Sequence, residues 1–122
     1  MQYYRRKPVQ APPAAPVQTN TETSAAFEMD DLPVLFAEIA ELIPSGFGAH
    51  EIDSLVKLAN TMEIDDEKEV TYPINYVGIV ASFTVSIFLD DFDSPDVTFF
   101  APPALTEAIS QLIDRFNEKR GR

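Results

Sequence analysis

The stretch EVTYPINYVGIVASFTVSIFLDD, Glu69 to Asp91, decides the fold. It is rich in β-branched and aromatic residues, which fit a pleated, half-buried surface. Within it Phe83, Val85, Ile87 and Leu89 alternate with Ser82, Thr84, Ser86 and Phe88. Period two with hydroxyls between describes a strand with one dry face and one wet face. Only Phe88 breaks the polar face. The reading places one strand at about Glu69 to Ile74 and a longer one from Ile79 to Leu89. DFDSPD is then a turn cluster, and PDVTFFAP supplies a third strand, Val97 to Phe100. Connections this short predict an antiparallel meander.

Helical spacing frames these strands on both sides. Upstream, Leu32, Leu35, Phe36, Ile39, Leu42 and Ile43 recur at helical intervals. Asp30 or Asp31 suits the cap and Pro33 the first turn. Pro44, Gly46 and Gly48 end this helix. A second runs from about His50 to Met62, with Ile52, Leu55, Val56, Ala59 and Met62 on one face. Downstream, Leu105, Ala108, Ile109, Leu112, Ile113 and Phe116 form the stripe of a last helix that starts at Pro102 and Pro103. Lys119 and Arg120 complement its negative end. The expected fold is α+β in the order α-α-β-β-β-α, with helices packed on one face of a three-stranded antiparallel sheet.

Before the first helix the character is different. Residues 1–26 carry Pro8, Pro12, Pro13 and Pro16, followed by the polar QTNTETS. Such a segment buries too little apolar surface to offset its ordering entropy, so it reads as a disordered arm. Residues 27–122 read as one acidic domain.

Charge is the outstanding property of the composition. The 122 residues hold 20 acidic and 9 basic side chains, for a net charge of −11. Between Phe27 and Glu107 there are 17 acidic residues against Lys57 and Lys68 alone. The other cations lie at the chain ends, among them Arg5, Arg6 and Lys7 beside Tyr3 and Tyr4. A body this negative repels nucleic acid and anionic membranes and attracts basic protein surfaces. Solubility alone is the simpler reading of an acidic surface, since net charge speaks to association and not to fold. Two local acidic runs stand out: EIDDEKE with Asp65, Asp66 and Glu67, and DDFDSPD with Asp90, Asp91, Asp93 and Asp96. Each reads most simply as a solvated loop. Together, at ends of one sheet, they are the candidate partner-binding surface.

Other chemistries fail on spacing. An EF-hand needs glycine at its sixth position and glutamate at its twelfth. Counted from Asp91 those positions hold Asp96 and Pro102, so no metal site is read here. The order α-β-β-β-α from the second helix onward is shared with double-stranded RNA-binding domains. Those place lysines at the start of the final helix to reach phosphates. This chain has Pro102, Pro103, Ala104, Leu105, Thr106 and Glu107 there. Direct RNA binding is therefore not expected. There is no cysteine, one histidine (His50), no Gly-x-Ser-x-Gly elbow, no phosphate-binding loop and no dinucleotide fingerprint. No catalytic residue or cofactor is assigned. The longest nearly apolar stretch, Val77 to Leu89, is too short to span a bilayer as a helix, and the reading is a cytoplasmic protein.

The opening YYRRKPV, Tyr3 to Val9, resembles the Y-R-K-K-P-V opening of a group of small tailed-phage proteins. Those continue into an apolar strand, where this chain continues QAPPAAP. The resemblance implies a phage or prophage origin and carries no activity with it. The leading expectation is a non-enzymatic acidic protein that docks on a basic surface of a host nucleic-acid-handling or defence protein, an inhibitor by charge mimicry. One alternative is an assembly component of a virion, anchored through Tyr3, Tyr4, Arg5, Arg6 and Lys7. Another is an acidic secretion chaperone or immunity-type protein. Monomer and homodimer both remain open at this level.

Overall fold

The structure is a computed structural model, which describes residues 20–90 and 94–119. Tyr3, Tyr4, Arg5, Arg6, Lys7, Asp91 and Asp93 lie outside the described residues. The elements run β1 (Thr21–Ala26), a single 3-10 turn (Met29–Asp31), α1 (Leu32–Ala40), α2 (Ala49–Thr61), β2 (Glu67–Tyr76), β3 (Ile79–Leu89), β4 (Pro95–Ala101) and α3 (Pro103–Lys119). The α+β class stands. The strand count and element order are corrected: the sheet has four antiparallel strands, ordered β1-β4-β3-β2.

The additional strand is TETSAA, part of the stretch assigned to the arm. Its own residues do not announce a strand, because none is large and apolar. Pairing and packing supply what propensity lacks. Thr21 through Ala26 pair with Ala101 through Asp96. Thr23 and Ala25 stand opposite Phe99 and Val97 on the helix-covered face, where small side chains let α3 lie close. The buried Thr106 hydroxyl donates to Ala101 O (2.9 Å) and also lies within hydrogen-bond reach of Thr21 O (3.3 Å), so it ties the start of α3 to β4 and β1.

One core fills the space between helices and sheet. Phe83, Val85, Ile87 and Leu89 are buried, as their alternation predicts. Val97 and Phe99 join them from β4, and Leu32, Leu35, Phe36 and Ile39 descend from α1. The stripe of α3 is buried at Leu105, Ile109, Leu112, Ile113 and Phe116. Burying a side chain of this size contributes about 1.5–3 kcal/mol. Asp31 occupies the cap position of α1, but its side chain makes no capping hydrogen bond. Pro33 sits in the first turn, as expected. No helix among the described residues is long and apolar enough to cross a membrane.

The β2–β3 hairpin turns through Val77 and Gly78, both with positive φ (52° and 80°). That geometry suits Asn-Gly and is costly for a β-branched residue. Val77 is also 76% exposed, so burial returns nothing for it. Val77→Asn is expected to stabilise the domain by about 1 kcal/mol, the scale of the left-handed penalty for an L-residue. A urea unfolding midpoint no higher than wild type would contradict this reading of the turn.

Candidate functional site

Two features of the described surface have site-like geometry. The first is the acidic end of the sheet. Strand register draws the two acidic runs together: Glu67 pairs with Phe88, and Phe88 pairs on its other side with Asp96. The half-buried Phe88, the one aromatic among the hydroxyls of this strand's outer face, thus lies between two carboxylates. The loop from α2 folds in beside it. Asp65 N donates to Leu89 O (2.7 Å), and Leu89 N donates to Asp66 O (3.0 Å). This brings Asp65 and Asp66 next to Asp90, which follows β3.

These carboxylates differ in what holds them. Asp66 Oδ2 accepts from Glu63 N (3.1 Å) and closes the turn, so this side chain is partly structural. Asp65 has φ 72°, a conformation that aspartate tolerates better than most residues. The Ser86 hydroxyl donates to Glu67 Oε2 (3.3 Å). Asp90 and Asp96 are exposed. Glu22 stands opposite Phe100 on the same outer face, and a reading that takes residues 1–26 as an arm does not find it. Among the described residues there are 18 carboxylates and only four cations: Lys57, Lys68, Arg115 and Lys119. Lys57 is engaged with Asp53 at 3.1 Å, an exposed pair of small energetic weight.

The second feature is a groove of about 380 Å³ between α2 and β2. Leu55, Leu58, Val70 and Tyr72 line it, with His50, Glu51 and Ser54 at the rim. It forms because α2 overlies the inner side of β2, an edge strand beyond which, among the described residues, no further strand lies. Glu51 Oε1 accepts from Gly48 N (2.8 Å), which is half of a capping box, since Gly48 has no side chain to return the bond. That hydrogen bond holds the Glu51 carboxyl below its ordinary pKa. Burial pushes the Tyr72 hydroxyl above its ordinary value, and the Glu51 charge adds to this. Tyr72 therefore stays neutral and presents a polar tip on an apolar floor. Its ring packs on Phe47 at 5.3 Å.

The groove was not legible in the sequence as a site. Leu55 sits on the predicted core face of the second helix, and Val70 and Tyr72 fall within a predicted strand, so they read as ordinary core. The signal that finds it is topological: β2 is an edge strand. No group of three or more histidine, aspartate or glutamate side chains among the described residues is placed to hold a metal ion. Comparison of the chain with protein-family models, with curated proteins and with solved structures finds no match.

Proposed function

We propose that the chain is a small non-enzymatic binding protein whose acidic sheet end docks on a basic surface of a partner protein. The observation that carries this reading is the register Glu67–Phe88–Asp96, with Asp65, Asp66 and Asp90 folded against it. Local sequence makes each acidic run. Among the described residues, the fold brings Asp65, Asp66, Glu67, Asp90 and Asp96 to one end of the sheet beside Phe88. Carboxylates around an aromatic suit a basic partner, because Lys and Arg pair with the former and stack on the latter. Attraction of this kind acts over about 8–10 Å at physiological salt and raises association rates by about 10–1,000-fold.

The resemblance of YYRRKPV to small tailed-phage proteins supports a phage-encoded origin and a host partner. A host nucleic-acid-handling or defence factor is the class that fits, because it already presents a basic surface to phosphates. The protein acts in the host cytoplasm and occupies that surface in place of nucleic acid.

Asp90→Lys with Asp96→Lys is the decisive variant. Both side chains are exposed and neither is hydrogen-bonded to a described residue, so the fold is expected to hold. Affinity capture from lysate of the cell that makes the protein is expected to recover a basic, nucleic-acid-binding partner. The double variant, or 0.5 M salt, is expected to lower recovery by about tenfold or more. A partner recovered equally by both proteins would refute the acidic surface as the docking site.

A further inference from the structure

We propose that the groove between α2 and β2, together with the free edge of β2, binds an extended, basic segment of the partner protein by strand addition. This deepens the reading above and rests on its basic partner. Backbone geometry identifies the edge. Asn75 N donates outward, away from β3, to Ser45 O at 3.1 Å. Backbone groups alternate sides along a strand, so the N–H and C=O groups of Glu67, Glu69 and Thr71 point outward as well. No described residue pairs with them. The chain itself already adds a strand-like bridge on this edge, Ser45 to Asn75, and no described residue bridges Glu67 to Thr71 beyond it.

The chemistry of the occupant follows from three features. Outward donors and acceptors require an extended backbone with its own N–H groups, which excludes proline at the pairing positions. The floor of Leu58, Val70 and Tyr72 takes an apolar side chain. On the outer side the charges of this edge are Glu67 and Glu69, while on the groove side Lys68 offsets Glu51 at the rim. The occupant's outward side chains are therefore basic and its groove-facing ones apolar. Open edges invite indiscriminate pairing, and charges and Pro73 guard this one. A guard that is mainly acidic refuses like strands and admits a basic one. A second copy is refused on the same ground, because its own Glu67 and Glu69 would face these across the ladder.

The test uses the full chain and a capped heptapeptide of alternating arginine and valine. Its readout is amide hydrogen exchange at Glu67, Glu69 and Thr71. The peptide is expected to slow exchange at these amides by about tenfold, the effect of closing a locally open edge. A glutamate–valine peptide, and the arginine–valine peptide with a central proline, are expected to do nothing. Leu58→Gln, a change at the groove wall, is expected to lose the protection with its thermal midpoint unchanged.

Three results would overturn the proposal: no slowing, equal slowing by the acidic or the proline peptide, or amides already slow in the free chain. Amides that speed up on dilution assign the edge to a second copy. Amides that speed up on charge reversal of Arg5, Arg6 and Lys7 assign it to the chain's own N-terminal segment. Failure here leaves the acidic sheet end intact, since that reading is decided by the Asp90→Lys, Asp96→Lys capture. Protection that persists in that double variant separates the two surfaces.

Discussion

Phe83→Ala is expected to lower the unfolding free energy by about 3–5 kcal/mol, a large part of the 5–15 kcal/mol typical of a domain this size. The ring stands where four elements meet. It stacks on Phe99 of β4 at 6.1 Å with an interplanar angle of 3°, and meets Phe47 edge-on at 5.0 Å. Tyr72 of β2 lies at 6.4 Å. Phe36 of α1 then closes the cluster with edge-on contacts to both Phe47 and Phe99. Truncation empties a fully buried volume that these rings cannot refill, because each is fixed by a different strand, helix or loop. Aromatic pairs add about 0.5–1.5 kcal/mol beyond area burial. Phe88→Ala is the control. That ring is half-buried on the opposite face, and about 1 kcal/mol is expected. Urea unfolding of the two variants measures the difference, and equal losses would show that the core is not centred on Phe83.

Most of this architecture was legible because the core residues carry their own periodicity. The bounds of β3 fall at Ile79 and Leu89, as its alternation indicates. The stripe of α3 is buried at five of its six positions. Leu32, Leu35, Phe36 and Ile39 of α1 and Leu55 and Ala59 of α2 are buried where helical spacing puts them. α1 ends at Ala40, so Leu42 and Ile43 fall in the turn beyond it, and Ile52 and Val56 are half-buried. What escaped was β1. Thr21 to Ala26 has no periodic apolar signal, and its strand conformation comes from β4, a partner some 75 residues away. Tertiary pairing overrode a local sequence that reads as linker. The acidic end was half legible in the same sense. Charge runs named Asp65, Asp66, Glu67, Asp90 and Asp96, but only the register through Phe88 and the backbone bonds of Asp65 and Asp66 to Leu89 bring them together. The groove depends wholly on which strand lies at the edge, and no local pattern encodes that.

Gly46→Ala is expected to cost about 3 kcal/mol or more, and its reason is backbone against backbone. The connection from α1 to α2 crosses β2 so closely that Ser45 O accepts from Asn75 N. At Gly46 φ is 106°, a region that costs an L-residue about 1–2 kcal/mol. A Cβ there would lie 2.5 Å from Pro73 O and 2.8 Å from Ile74 Cα. Neither atom can retreat without disturbing the ladder that pairs Pro73 with Ser82 and Ile74 with Ala81. Overpacking of this kind adds about 1–3 kcal/mol. Gly78→Ala separates the two contributions. Its φ is also positive, at 80°, but a Cβ there meets nothing within 4 Å, so only the conformational part, about 1 kcal/mol, is expected. Chemical denaturation of both variants decides the matter: a loss for Gly46→Ala no larger than for Gly78→Ala would mean that the loop yields freely. If it does not yield, the damage reaches the groove, because Phe47 follows directly and packs on Tyr72. Gly46→Ala is then expected to abolish edge protection by the arginine–valine peptide as well, and Gly78→Ala to leave it unchanged.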